Sequence, residues 1–183
     1  MEIIQEPLPG LKVLKPTIFG DHRGYFYESY NKDKFAELGI TDEFVQDNQS
    51  LSSTGVLRGL HFQTGNWAQG KLVRVVQGAV WDVAVDIRKG SPTYGKWFGI
   101  ELTAENQLQF WVPVGFAHGF VTLKDNTLFC YKCTNVYNKA SEGGIMYNDS
   151  DLNIDWNIEN PILSAKDLEN ETFQNFESPF DYE

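Results

Sequence analysis

Hydrophobic residues along this chain fall in short runs that are separated by turn-forming residues. The runs are rich in Val, Ile, Phe, Tyr and Trp, the residue types that favour β-strands. Turns are predicted at Gly78, at 89–92 and at 124–126. Many short strands at this spacing indicate a mainly β protein, built as a sandwich or barrel. The predicted strands are 25–30, 55–62, 71–77, 79–87, 96–102, 107–112, 118–123 and 127–137.

Helix signals appear only at the margins of this pattern. Asn31 can cap a helix over 32–38, and Gly39 can end it. The pair Ser164-x-x-Asp167 has the form of a capping box and predicts the start of a short helix near the C-terminus. The 183 residues contain no internal repeat and no Pro/Gly/Ser linker. We therefore expect one domain over residues 1–183, with short peripheral helices.

The predicted strand 25–30 places Phe26, Glu28 and Tyr30 on one face. An aromatic ring beside a carboxylate could stack on a nucleotide base and accept its N–H. An edge strand with ordinary cross-strand pairs explains the same residues, and from this segment alone that second interpretation is favoured.

The net charge of the chain is −10. Proteins that bind DNA or RNA usually present a basic face, so nucleic acid is a poor partner. No apolar run approaches the roughly 20 residues that cross a bilayer, and the N-terminus has no basic, apolar signal sequence. These features predict a cytoplasmic protein without membrane association.

Residues 48–81 contain no Asp or Glu, although the chain is acidic. The same stretch carries Arg58, Lys71 and Arg74. It can be a site kept free of negative charge for an anionic ligand, or a buried sheet that excludes carboxylates in any case. Both interpretations have about equal weight on this evidence.

Cys130 and Cys133 form a Cys-x-x-Cys pair, which can indicate a redox or zinc site. Further zinc ligands with suitable spacing are missing nearby. Because residues three apart on a strand face opposite sides, the two thiols are predicted to diverge and to be structural.

The chain has three histidines, His22, His61 and His118. His118 ends a Pro-x-Gly-x-x-His segment that starts at Pro113 and is typical of a turn in cupin barrels. Many cupins bind a metal through a His-x-His pair, a nearby Glu and a later His. Here the first pair is replaced by His61-Phe62-Gln63, and two isolated histidines hold a divalent metal poorly. We therefore predict a cupin-type jelly roll without a metal site.

His61 follows Arg58 and Gly59 closely. Strict alternation along a strand would put Arg58 and His61 on opposite faces. A bulge at Gly59 would turn both side chains into one cavity.

Several ordered segments of the chain resemble the dTDP-4-dehydrorhamnose 3,5-epimerase family. The resemblance runs from about Pro16 to Asp167. A single one of these motifs would be weak evidence, but their order and compatible spacing make the resemblance specific. The segments are 21–26 (DHRGYF), 46–48 (QDN), 58–61 (RGLH), 71–75 (KLVRV), 115–120 (GFAHGF), 131–134 (YKCT) and 163–167 (LSAKD).

The resemblance implies a reaction on a dTDP-linked 4-keto-6-deoxy sugar. The C4 ketone acidifies the hydrogens at C3 and C5, so a base can remove one and an acid can return a proton to the other face. No cofactor is needed. His61 matches the base, Lys71 the group that stabilises the enolate, and Tyr131 the acid.

Asp167 matches the carboxylate that orients the base. Asp167 could partly fill both this role and the predicted helix cap, but a carboxylate bonded to His61 is not free to close the cap, and the resemblance favours the role at His61. The family is also dimeric, which implies a homodimer in which the N-terminal region of one subunit helps to complete the site of the other. The resemblance further implies substrate contacts at Arg23, Phe26, Glu28, Gln46, Asp47, Asn48, Arg58, His118, Tyr137, Glu142 and Lys166.

Other functions stay open at this point. A relative that acts on only one carbon, or a keto-isomerase, would share the barrel and the histidine base. A non-catalytic cupin would bind a sugar or nucleotide without exchanging its protons. A metal-dependent cupin dioxygenase is the least favoured class.

Overall fold

The computed structural model describes residues 1–182. It is mainly β, with one short α-helix and three 3₁₀ turns, as the hydrophobic pattern predicted. The helix α1 is Lys32–Glu37, and the 3₁₀ turns are Gly65–Trp67, Lys139–Ser141 and Lys166–Leu168. The strands are β1 (Glu2–Leu8), β2 (Leu11–Lys15), β3 (Phe19–Asp21), β4 (Gly24–Phe26), β5 (Gln46–Ser52), β6 (Leu57–Gln63), β7 (Lys71–Gln77), β8 (Ala79–Asp86), β9 (Trp97–Thr103), β10 (Gln109–Val112), β11 (Phe116–Thr122), β12 (Thr127–Cys133) and β13 (Glu142–Gly144).

Two antiparallel sheets form a sandwich. The larger sheet has the order β1-β2-β10-β7-β12-β5, and the smaller has the order β13-β6-β11-β8-β9. Strands β3 and β4 form a separate hairpin. Because side chains alternate between the faces of a strand, each sheet sends every second residue into the space between the sheets. The sandwich and its short peripheral helices confirm the predicted fold class.

Three hydrophobic clusters hold this arrangement together. Phe110 and Phe129 from the larger sheet meet Phe120 from the smaller sheet in the central core. The rings of Phe120 and Phe129 stack with centroids 4.1 Å apart. The outer face of the smaller sheet is covered by the C-terminal segment through Trp156 and Phe180. Burying such rings stabilises the fold by roughly 1.5–3 kcal/mol each.

Most predicted strands agree with the structure to within about two residues at each end. The cap at Asn31 is confirmed, because its side chain accepts hydrogen bonds from the backbone N–H groups of Asp33 and Lys34. Gly39 follows α1 with a φ of 74°, the left-handed conformation expected after a helix end.

Two predicted strands are too long. The strand predicted over 25–30 ends at Phe26, since Tyr30 turns away to pack against Phe35 and Phe44. The strand predicted over 127–137 ends at Cys133. The prediction that Phe26, Glu28 and Tyr30 share one face is therefore wrong.

The hydrophobic pattern missed β1, β2, β3, β5 and β13. The inward face of β5 is polar, because Asn48 and Ser50 line a cavity instead of the core. Strand β1 contains Pro7 and lies at the edge of its sheet, where proline is tolerated.

No helix within residues 1–182 is long and apolar enough to cross a membrane.

Candidate active site

A cavity of about 670 Å³ opens between the two sheets. It adjoins a second cavity of about 340 Å³, and Asn48, His61, Lys71 and Tyr131 line both. His61 comes from the smaller sheet, whereas the other three come from the larger sheet. The predicted base and acid therefore approach one cavity from opposing walls.

The bulge predicted at Gly59 is confirmed. His118 pairs with His61 and Phe120 with Arg58, so three steps along β6 match two along β11. Gly59 has a φ of 146°, and a Cβ there would approach the Cα of Gly119 to 2.5 Å. Glycine is required because of this close approach, and the bulge lets Arg58 and His61 line the same cavity.

The walls of the larger cavity are cationic. Arg58, Lys71 and Lys166 line it, and Asp167 is the carboxylate residue in its lining among residues 1–182. Arg74, the third cation of the acid-free stretch, points to the outer face of β7, where its Nη1 lies 3.4 Å from the hydroxyl of Tyr27. The acid-free stretch thus contributes two of its three cations to the cavity.

His61 is held by Asp167, as predicted. Its Nε2 lies 2.5 Å from Oδ1 of Asp167, which is 3% exposed. The second oxygen, Oδ2, accepts a hydrogen bond of 2.7 Å from the hydroxyl of Ser164. The backbone N–H of Asp167 donates back to the Ser164 oxygen. Asp167 therefore serves both His61 and its own turn, because one oxygen takes each task.

Asp167 remains ionised. Burial tends to raise the pKa of its carboxyl, but the hydrogen bonds from His61 and Ser164 outweigh burial and hold that pKa below its ordinary value. An ionised carboxylate can only accept hydrogen bonds, so Nε2 of His61 carries a proton. The other ring nitrogen, Nδ1, is then the atom with a free lone pair.

Lys71 lies on the inward face of β7, with Nζ 3.5 Å from the carbonyl oxygen of His61. Burial lowers the pKa of its ammonium, while Cys133, Asp82 and Glu142 act in the opposite direction. The amino group is placed to donate hydrogen bonds into the cavity.

Tyr131 lies on the inward face of β12. Burial raises the pKa of its phenol, and Cys133 adds to that effect. The phenol is therefore neutral at pH 7 and can donate its proton.

The two cysteines diverge, as predicted. Cys133 is fully buried on the inward face of β12, whereas Cys130 lies on the outer face beside Gln49. Burial raises the pKa of the Cys133 thiol to about 11.

His118 also pairs with a carboxylate. Its Nε2 lies 2.8 Å from Oδ1 of Asp82, and both side chains are buried. Burial raises the pKa of Asp82, although His118 and Lys71 act to lower it. The sequence prediction missed Asp82. A signal existed, since Asp82 interrupts the apolar strand β8.

Tyr137 and Glu142 line the smaller cavity, and Lys166 lines the larger one. The hydroxyl of Tyr137 donates a 2.8 Å hydrogen bond to Glu142, which also pairs with Lys166. Burial acts to raise the pKa of Glu142, but these two partners hold it below its ordinary value. Gln46 accepts from the backbone N–H of Tyr137 at 2.8 Å and donates to Asn48 at 3.1 Å. Tyr131 and Tyr137 thus line one cavity, although Tyr137 lies outside the strand.

Four of the predicted substrate contacts lie away from both cavities. Arg23 pairs with Asp21 on the β3–β4 hairpin, and Phe26 is 69% exposed there. Glu28 pairs with Lys34 at 2.8 Å. Asp47 faces the outer side of β5, opposite to Gln46 and Asn48, and its Oδ2 lies 2.7 Å from Nζ of Lys132.

Gln63 was missed by the sequence prediction as well. Its side chain donates to the carbonyl oxygens of Trp67 and Val136 and accepts from the backbone N–H of Asn138. It thereby fixes the loop that carries Tyr137. A glutamine in a predicted β-strand carries no pattern in the sequence that would indicate such a role. The other cavity-lining residues that were missed are Gln49, Ser50, Val56, Leu57, Phe62, Gln69, Phe120, Phe129, Ile162, Leu163 and Ser164.

Within residues 1–182, no three His, Cys, Asp or Glu side chains are grouped so that they could hold a metal ion.

Comparison with known proteins points to one family. The family model described as dTDP-4-dehydrorhamnose 3,5-epimerase matches residues 5–175. The Shigella flexneri enzyme of that name is 53% identical over 174 residues, which cover 94% of this chain and 96% of that protein.

Solved structures of the family superpose closely. The dTDP-4-dehydrorhamnose 3,5-epimerase of Elizabethkingia anophelis is 56% identical, with a TM-score of 0.92, and the match covers 96% of this chain and 97% of that one. The Legionella pneumophila dTDP-6-deoxy-D-glucose-3,5-epimerase, solved with dTDP-4-keto-L-rhamnose, is 49% identical, with a TM-score of 0.95 and coverage of 100% and 98%. The chain therefore belongs to the dTDP-4-dehydrorhamnose 3,5-epimerase family.

Proposed function

We propose that this protein inverts C3 and C5 of dTDP-4-dehydro-6-deoxy-D-glucose and so forms dTDP-4-dehydro-L-rhamnose. One observation carries the proposal: His61 and Tyr131 line the same cavity from opposing sheets, with Lys71 lining it as well. Inversion of a carbon next to a ketone needs a base on one side of the ring and an acid on the other. The substrates of the family members support the choice of sugar nucleotide.

His61 removes the proton. Its Nε2 donates to Asp167, so Nδ1 is the atom that accepts the hydrogen from C3 or C5. The electron pair of the broken C–H bond moves into the C4 carbonyl and forms an enolate. Asp167 stabilises the imidazolium that results and keeps the ring in one orientation.

Lys71 stabilises the enolate oxygen. A ketone α-proton is ~10 pKa units less acidic than an imidazolium, which corresponds to ~14 kcal/mol for the proton transfer. A base alone cannot supply this energy. The amino group of Lys71, which lines the cavity, can supply a large part of it as an ammonium, because it is already in place when the charge appears.

Tyr131 returns a proton from its phenol to the opposite face of the same carbon. One proton thus leaves the sugar for His61 and another arrives from Tyr131, so the substrate keeps its composition. Solvent then resets both side chains. The same pair acts at the second carbon after the sugar has turned in the cavity.

The remaining cavity residues bind the substrate. Arg58 and Lys166 suit the diphosphate, since guanidinium and ammonium groups bind phosphate oxygens strongly. His118 and Asn48 contact the sugar, and Tyr137, Glu142 and Gln46, which line the smaller cavity, border the base.

We also propose that the protein acts in the cytoplasm as a homodimer. The β3–β4 hairpin extends exposed Phe19, Tyr25 and Phe26 into solvent, and it carries Arg23 away from the cavity of its own chain. An exposed aromatic cluster of this kind is typical of a protein interface. In a dimer the hairpin would bring Arg23 and Phe26 to the cavity of the partner subunit.

Mixing two inactive variants tests this arrangement. In a trans site, His61→Asn and Arg23→Ala subunits combine into dimers that have one intact site. Equal random mixing then restores about a quarter of the wild-type activity, because half of the dimers are mixed and each has one working site. If mixing restores nothing while light scattering shows a dimer, Arg23 does not act across the interface.

Hydrogen exchange in D₂O tests the reaction. Incubation of the protein with the 4-keto substrate should introduce deuterium at both C3 and C5, which NMR resolves. Label at only one carbon would indicate a single-site epimerase or a keto-isomerase. Binding without any label would indicate a non-catalytic cupin.

A further inference from the structure

Asp82 lies on the inward face of β8 and is completely buried. Its Oδ1 lies 2.8 Å from Nε2 of His118. Its Oδ2 has no hydrogen-bond partner among residues 1–182. Leaving a buried carboxylate oxygen unpaired costs roughly 1–3 kcal/mol, so this residue destabilises the fold.

Asp86 is a structural carboxylate on the same strand, and its hydrogen bonds can be compared with those of Asp82. It is equally buried and lies four residues further along β8, on the same face. Its Oδ1 accepts from Nε of Arg88 at 2.9 Å, and its Oδ2 accepts from Ser91 at 2.6 Å and from Thr93 at 2.7 Å. Burial opposes these bonds, but together they hold the pKa of Asp86 below its ordinary value.

The difference between the two carboxylates indicates a functional reason for Asp82. A buried carboxylate with one unpaired oxygen destabilises the core. Such a carboxylate is therefore expected where it serves a functional site. The side chain of Asp82 bonds to a histidine that lines the cavity. That bond occupies Nε2 and leaves Nδ1 as the ring nitrogen for a ligand.

We propose that Asp82 is a positioning residue, which holds the His118 ring so that Nδ1 faces the reacting sugar. The inference rests on the proposed function, in which His118 contacts the sugar beside Lys71. Asp82 touches no substrate itself and acts through His118.

Asp82→Asn and Asp86→Asn form a matched pair of variants for the test. For Asp82→Asn we expect kcat to fall about 10- to 100-fold, the loss typical when the partner that orients a functional imidazole is removed. KM should change less than kcat, and the melting temperature should stay equal or rise, since an unpaired buried charge is gone. For Asp86→Asn we expect the reverse pattern, a lower melting temperature with kcat and KM near wild type.

A double-mutant cycle with His118→Asn gives a second measurement. Because Asp82 acts through His118, adding Asp82→Asn to His118→Asn should lower kcat by less than twofold. Additive losses would overturn the proposal. It would also be overturned by wild-type kinetics in Asp82→Asn, or by a variant that fails to fold, since a structural role predicts the latter. Failure of the proposed function is separate, because it would appear as absent deuterium exchange in the wild-type protein.

Discussion

Two histidine–carboxylate pairs face the same cavity, but their surroundings differ. The side chain of His61 is 27% exposed, and its partner Asp167 has both oxygens bonded and a lowered pKa. The side chain of His118 is 7% exposed, and its partner Asp82 has a raised pKa and one oxygen without a partner among the described residues. The first pair is suited to hold a positive imidazolium, because its carboxylate stays ionised. The second is suited to orient a ring, because a single hydrogen bond from Nε2 of His118 to Oδ1 of Asp82 joins the two side chains.

The difference follows from where the carboxylates come from. Asp167 lies in a C-terminal turn that can supply Ser164 as an additional donor. Asp82 lies in the middle of a sheet, whose backbone groups already pair with β9 and β11. The carboxyl pKa of a histidine–aspartate pair is therefore lowered when the aspartate lies in this turn and raised when it lies in this strand.

Replacing His61 and His118 should give the largest effects on kcat and should separate the roles of the two pairs most clearly. We expect His61→Asn to lower kcat by about 10³- to 10⁴-fold and to abolish solvent exchange, because the base is lost. His118→Asn should retain measurable exchange, with a smaller loss. Deuterium incorporation followed by NMR measures both variants under the same conditions. Equal losses in the two variants would contradict the assignment of distinct roles.

Tyr131→Phe should separate proton removal from inversion. We expect inversion to fall by about 10²- to 10⁴-fold, because the acid on the second face is lost. His61 can still remove a proton and return deuterium to the same face. Exchange should therefore exceed epimerisation, which NMR and product analysis measure together. Parallel loss of both would show that His61 does not act alone as the base.

Ser164→Ala should weaken the pair of His61 and Asp167 and leave the pair of His118 and Asp82 unchanged. The hydroxyl bond stabilises the ionised form of Asp167, and its loss costs about 1–2 kcal/mol, or roughly a 5- to 30-fold lower kcat/KM. The pKa of Asp167 should rise, so the acid limb of the pH profile of kcat/KM should move towards neutral pH. Ser164→Thr keeps the hydroxyl and serves as the matched control. An unshifted acid limb in Ser164→Ala would remove Ser164 from the site.

The pH dependence of stability should show the smallest effect, with opposite signs for the two carboxylates. The folded pKa of Asp167 is lowered, so its contribution is present above the unfolded pKa and is lost as pH falls through the folded pKa. Asp167→Asn should therefore lower the free energy of unfolding at pH 7 by about 1–2 kcal/mol, and the difference should vanish in acid.

The folded pKa of Asp82 is raised, so its destabilising effect is present near pH 7 and fades as pH falls. Asp82→Asn should therefore match or exceed the wild-type stability at pH 7 and converge with it in acid. Chemical denaturation at pH 7 and in acid measures both variants, and a loss of stability in Asp82→Asn at pH 7 would reverse the comparison.

Much of the site was accessible from the sequence. The glycine at position 59 predicted the bulge, and the bulge brings Arg58 and His61 together. The family resemblance identified His61 and Asp167, which lie in contact although 106 residues separate them. Strand alternation alone would have placed Asp47 on the outer face, since Gln46 and Asn48 point inwards.

The chain by itself determined the mainly β fold class, the turns and the helix cap at Asn31, because these depend on local periodicity and local backbone preferences. The residues of the reaction followed from the resemblance to the family. Only the tertiary structure decided that Asp82 meets His118, that the two oxygens of Asp167 serve His61 and Ser164 separately, and that polar β5 lines a cavity. Such contacts join residues that are distant along the chain. Burial, which sets the pKa of Lys71, Asp82 and Tyr131, exists only after the sheets have packed.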